Sequence, residues 1–135
     1  MTKIAPPAVL VVEDEPLTRM VAADAISDTG IQVREAADAE EALEVLDNHS
    51  EIGVLFTDID MPGPLDGLDL AEQVHEDRPE VELIVTSGAS TVQDSDLPDS
   101  GTFLHKPYRT TRLVEIVREK VASRSGGSDS SGADN

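Results

Sequence analysis

Five short apolar runs rich in β-branched residues, at 8–12, 31–35, 52–57, 82–86 and 102–104, alternate with amphipathic stretches along this chain. This alternation constrains the fold more than any other feature. Strands separated by helix-length connections pair in parallel, and a parallel sheet needs helices on its faces to bury it. The core has to be aliphatic, because the chain holds two Phe, one Tyr and no Trp. Val, Leu, Ile and Ala suit buried parallel strands. With 135 residues there is room for one domain and one core.

Local signals mark the helices. Pro16 stands where a first helical residue would, and Gly30 where a helix ending near Thr29 needs a left-handed residue. Asp38 followed by Glu41 reads as a capping box opening a second helix through Leu43 and Leu46. A third is predicted over 67–77, burying Leu70 and Val74 and stopped by Pro79. The stretch 89–100 has only Val92 and Leu97 as sizeable apolar residues and a proline inside, so at most a turn or two of helix is expected there. Leu113, Ile116, Val117 and Val121 give a last helix over 112–121. The resulting division is an N-terminal extension at 1–7, a folded unit at 8–121 and a disordered tail at 122–135, where apolar content is too low to fold.

Charge and composition exclude several functions. Ten Lys and Arg against 28 Asp and Glu leave a formal charge of -18, which repels nucleic-acid backbones and anionic membranes. Most of this charge reads as a solvated surface. No cysteine is present, so disulfides, thiolate zinc sites and Cys nucleophiles are out. No signal core or bilayer-length apolar run is found, and a cytoplasmic protein is expected.

In open parallel sheets, ligands bind outside the carboxyl ends of the strands. The residues there are Glu13 and Asp14 after the first run, Asp58 and Asp60 after the third, Ser87 and Gly88 after the fourth, and Lys106 after the fifth. Carboxylates converging on one crevice repel one another unless they share a cation, and hard oxygen donors suit Mg2+. Lys106 and the Ser87 hydroxyl would then meet the other oxygens of a phosphoryl group. Taken singly, an acidic pair is more often a helix amino-terminal charge, a Ser-Gly a turn, and a Lys-Pro a loop cation. The conjunction at four strand ends carries the functional reading. His49, His75 and His105 are isolated and read as surface or helix-end residues, Met20 as core and Met61 as part of the loop after Asp58.

The segments VLVVEDEP, FTDIDMPG, IVTSG and FLHKPY resemble, in order and nearly in spacing, the signature segments of response-regulator receiver domains, over about residues 8–121. The resemblance implies a flavodoxin-like, doubly wound α/β fold with strand order 2-1-3-4-5 and helices on both faces, the fourth helix here expected to be short or degenerate from the residues at 89–100 and the short interval from Ser87 to Lys106. It makes Asp58 the acceptor of a phosphoryl group from a phosphohistidine. Asp14 matches a direct Mg2+ ligand, Glu13 an acid acting through water, and Asp60 the position whose backbone carbonyl reaches the metal. Ser87 matches the switch hydroxyl, in preference to Thr86, Lys106 the site lysine, and Phe103 the aromatic that changes rotamer. The implied partners are a histidine kinase or histidine phosphotransfer protein and a downstream protein target.

Three departures stand out: Glu13 where Asp is commoner, one extra residue in MPGPLDG, and a short interval from Ser87 to Lys106. Two rival readings are a receiver-like scaffold that no longer uses phosphorylation and a phosphohydrolase built on the Asp58–Asp60 DxD pair. The favoured reading is a signalling domain and not an enzyme. It assists only the addition and loss of its own phosphoryl group.

Overall fold

The computed structural model describes residues 7–88, 97 and 101–126. Its elements run β1 (Ala8–Val12), α1 (Pro16–Ser27), β2 (Val33–Ala36), α2 (Ala39–Asn48), β3 (Ile52–Asp58), α3 (Gly67–Asp77), β4 (Glu82–Ser87), β5 (Thr102–His105) and α4 (Thr110–Gly126). All strand pairs are parallel, in the order β2-β1-β3-β4-β5. The fold is thus the flavodoxin-like sheet that the resemblance implies. The stretch 89–100, apart from the buried Leu97, lies outside the described residues.

Alternating side chains sort the core into two layers. Ala8, Leu10 and Val12 of β1 join Leu55, Leu83 and Val85 beneath α2 and α3, where Ala42, Leu46, Leu70 and Val74 cover them. Val9, Val11, Val54, Phe56 and Ile84 face the other way, under Ile26 of α1 and Leu113, Ile116 and Val117 of α4. Strands β1 and β3 are buried along their whole length. Each fully buried Leu, Ile or Val contributes about 1.5–3 kcal/mol of transfer free energy. That burial makes β1 and β3 a rigid base for whatever projects from their carboxyl ends.

The helix starts follow the sequence, with instructive differences. Pro16 is the first residue of α1, with the Glu15 side chain accepting from the Leu17 N–H, and Gly30 has φ +91. Asp38 caps α2 by accepting from the Glu41 N–H at 2.8 Å. The Glu41 carboxylate accepts from Ala37 instead of Asp38, so the expected box closes one residue further back. A full capping box occurs at α3, between Asp66 and Asp69. Helix α4 begins at Thr110 and carries past Val121 to Gly126, beyond the last apolar repeat. Once nucleated, a helix gains one hydrogen bond per added residue without a packed face. Met20 corrects an expectation: it is 49% exposed and not core, because nothing among the described residues covers that side of α1.

Candidate functional site

Strand register assembles the site. Val12 pairs with Thr57, Asp58 with Thr86, and Ser87 with His105, so the residues ending four strands lie side by side. Glu13 and Asp58 are buried, Asp14 is exposed, and carboxylate oxygens of the three lie within 4.8 Å of one another. All the donors there are hard oxygens, and three close carboxylates are poorly compensated by one lysine. The donor set therefore fits a divalent cation such as Mg2+.

Lys106 enters from the far edge, with its Nζ 2.9 Å from Asp58 Oδ2 and 3.4 Å from Glu13 Oε1. The other Asp58 oxygen accepts the Asp60 N–H at 3.1 Å. Burial pushes the Glu13 carboxyl up, and the charge of Asp58 adds to that; the Glu15 N–H and the Lys106 ammonium oppose the rise without cancelling it. For Lys106, burial alone would lower the pKa. The hydrogen bond and charge of Asp58, followed by those of Glu13, outweigh it, and the net shift is upward. Lys106 is therefore a permanent cation at neutral pH, and the crevice keeps an unbalanced negative charge.

The two adjacent hydroxyls of β4 do different things. Thr86 Oγ1 is buried and donates to the Leu104 carbonyl at 2.6 Å, tying β4 to β5. Ser87 Oγ donates to Asp60 Oδ2 at 3.1 Å and so faces the acidic crevice. Phe103 is buried in the layer under α2 and α3, its ring 4.4 Å from that of His105. Met61 is buried in the same layer, just after the acidic loop. His49 caps the end of α2 and His75 lies in the last turn of α3, whereas His105 ends β5 beside Ser87 and is exposed.

Two residues of the site were not singled out by sequence. Arg19 donates to the Glu13 carbonyl at 2.7 Å and to Glu35 at 3.2 Å, bracing the loop that carries Glu13 and Asp14. No local pattern announces it, since both acceptors come from neighbouring strand ends. Gly67 lies against Asp58, its N–H bonded to the Ile59 carbonyl at 3.0 Å. The Asp-Gly of PLDG was the available signal for a close approach of backbone to backbone.

Beside Lys106 opens a groove of about 600 Å3 lined by Leu17, Thr18, Val21, Pro107, Tyr108 and Thr110. Leu17 and Val21 are 68% and 53% exposed and, with Met20, leave α1 an apolar face that no described residue covers. Among the described residues, no helix is long and apolar enough to cross a membrane.

Residues 9–118 match the family model of the response regulator receiver domain. The chain is 34% identical over 117 residues to the sensor kinase CckA of Brucella abortus and 31% identical over 117 residues to the nitrogen assimilation regulatory protein NtrX of Azorhizobium caulinodans. Each match covers 84% of this chain but only 12% and 26% of those longer proteins. A response regulator receiver protein from Pseudomonas putida superposes with a TM-score of 0.76 at 34% identity, covering 87% of this chain and 99% of that one. From strand order, strand-end chemistry and these likenesses together, the chain belongs to the response-regulator receiver domains of two-component signal transduction.

Proposed function

We propose that Asp58 takes a phosphoryl group from a phosphohistidine of a sensor histidine kinase or histidine phosphotransfer protein. The observation carrying this reading is a buried carboxylate held between an ammonium and two further carboxylates at the carboxyl end of the sheet. A carboxylate oxygen of Asp58 attacks phosphorus while the P–N bond to the imidazole breaks. The electron pair leaves on the ring nitrogen, which gains a proton, and Asp58 becomes an acyl phosphate. Such transfer depends on placement and charge neutralisation more than on covalent chemistry by the protein.

Lys106 provides a fixed cation, and the Asp60 N–H orients the Asp58 carboxylate. Asp14 and Asp58 would hold Mg2+ directly, Glu13 through a water, with the Asp60 carbonyl as a further donor. When bound, the cation would neutralise the charge that three carboxylates and an incoming phosphoryl group bring together. Asp60 would have to be an acid and base in a phosphohydrolase, yet its carboxylate is engaged by Ser87. The domain is accordingly read as a phosphoacceptor with no external substrate to turn over, working in the cytoplasm where such donors act. The conformational signal is read as passing from Ser87 to Phe103 and on to a protein target.

The test is chemical. With Mg2+ and a small phosphoramidate, the protein should take up one phosphoryl group, and borohydride trapping should convert the acyl phosphate to homoserine at position 58. Homoserine elsewhere would overturn the assignment.

The groove on α1 supports a macromolecular donor, because it offers an apolar seat whose wall includes Lys106. Adjacent exposed apolar side chains of this kind mark interaction surfaces. A Leu17→Ala, Val21→Ala double variant should slow transfer from a phosphohistidine protein by roughly tenfold or more, about 1.4 kcal/mol or more of binding. Uptake from the small phosphoramidate should be unchanged. Equal losses with both donors would place the defect in the site and remove the groove from the reading.

A further inference from the structure

The carboxylate of Asp60 has a place in the site that its backbone role does not explain. Its N–H donates to Asp58 Oδ1, and its Oδ2 accepts the Ser87 hydroxyl, both at 3.1 Å. One residue therefore touches the acceptor with its backbone and the hydroxyl of β4 with its side chain. The position is held by the main chain: the Ile59 N–H donates to the Thr86 carbonyl at 2.9 Å, continuing the β3–β4 pairing past Asp58. Ser87 is buried and its Cα is fixed by the strand, whereas Asp60 is exposed and at the start of a loop.

We propose that Asp60 is a positioning residue whose carboxylate holds the Ser87 hydroxyl in its resting place, and that phosphorylation makes Ser87 exchange this acceptor for a phosphoryl oxygen. The inference rests on Asp58 as the phosphoryl acceptor. A serine hydroxyl has one proton to donate, so the Asp60 carboxylate and a phosphoryl oxygen compete for it. The resting acceptor carries one negative charge. Beside it, conversion of the Asp58 carboxylate to an aspartyl phosphate replaces one negative charge with about two. Repulsion drives the exposed Asp60 side chain outward, and the more highly charged acceptor draws the hydroxyl inward. Both effects favour the exchange, and the Asp60 contact sets the threshold that phosphorylation has to overcome.

A double-mutant cycle tests this, with Mg2+ and beryllofluoride as the probe and amide chemical shifts as the readout. Asp60→Ala removes the competing acceptor and should tighten apparent beryllofluoride binding by about tenfold in the Ser87 protein, the worth of one charge-assisted hydrogen bond. In the Ser87→Ala background, most of that gain should vanish, because no hydroxyl is left to release. Without beryllofluoride, Asp60→Ala should shift the Ser87 amide resonance, while Asp60→Asn, which keeps an oxygen acceptor, should largely restore it. An equal gain in both backgrounds would mean that Asp60 acts only through its charge, and an unshifted Ser87 resonance would mean that it does not hold the hydroxyl; either result overturns the proposal. No response of the unsubstituted protein to beryllofluoride would overturn the Asp58 assignment and this proposal with it.

Discussion

Asp58→Asn should abolish phosphoryl uptake and, in the same protein, raise resistance to unfolding in metal-free buffer. The first effect follows from chemistry, since an amide oxygen is too weak a nucleophile to take up a phosphoryl group and, among the described residues, Asp58 is the one carboxylate in contact with both Lys106 and the Asp60 N–H. The second follows from the charge around it. The substitution keeps the shape and removes one ionic attraction, to Lys106 at 2.9 Å. It also removes two repulsions, from Glu13 and Asp14, whose oxygens lie within 4.8 Å. At an effective dielectric near 20, each such pair is about 3–6 kcal/mol gross, so the terms nearly cancel and leave on the order of 1 kcal/mol in favour of the variant. A chain of this size should then unfold roughly 3–5 °C higher.

Mg2+ should reverse the order, stabilising the unsubstituted protein more than the variant through preferential binding to its folded state. Thermal unfolding with and without Mg2+ measures both signs. Lower stability of the variant in metal-free buffer would show that the Lys106 pair outweighs the repulsion, and that the acidic crevice is not strained without a cation.

Gly67→Ala is expected to be among the most damaging single-methyl changes in the chain, although alanine is the better helix former by about 1 kcal/mol. A Cβ at this position would fall on the Asp58 carbonyl oxygen and within 2.7 Å of the Asp58 carbonyl carbon and the Ile59 Cα. These are main-chain atoms of the central strand β3 and the residue after it, with no rotamer to swing away. The start of α3 would have to move, giving up the Gly67 N–H to Ile59 bond and disturbing the Asp66–Asp69 capping box. Overpacking and lost caps each cost about 1–2 kcal/mol, so a net loss of roughly 2–3 kcal/mol is expected after the gain in propensity.

Phosphoryl uptake should fall further than stability implies. If strain is relieved instead by displacing Asp58, a shift of about 1 Å in the acceptor can cost on the order of a hundredfold in rate. Urea denaturation and phosphoramidate uptake, measured on the folded fraction, separate the two losses. Wild-type values in both would show that α3 can stand off from Asp58 at little cost.

What sequence alone determined about this protein is the part that rests on local pattern. Continuous runs of β-branched and aliphatic residues, which a sheet covered on both faces requires, made the five strands legible. Pro16, Gly30, Asp38 and Pro79 marked helix ends through backbone restrictions that act within one turn. The resemblance supplied the strand order, and with it the row of strand-end residues Glu13, Asp58, Ser87 and Lys106. Only the tertiary structure decided which groups in that row touch. Thr86 and Ser87 are chemically equivalent neighbours in the chain, and their different partners, Leu104 and Asp60, come from strand pairing across the sheet. The same holds for Arg19 on the Glu13 carbonyl and for Gly67 against Asp58. Met20 was misread because helical spacing says which residues share a face but not how far a neighbouring element reaches over it. Such contacts join residues far apart in sequence, and their geometry is set by sheet register and helix placement, which no local propensity encodes.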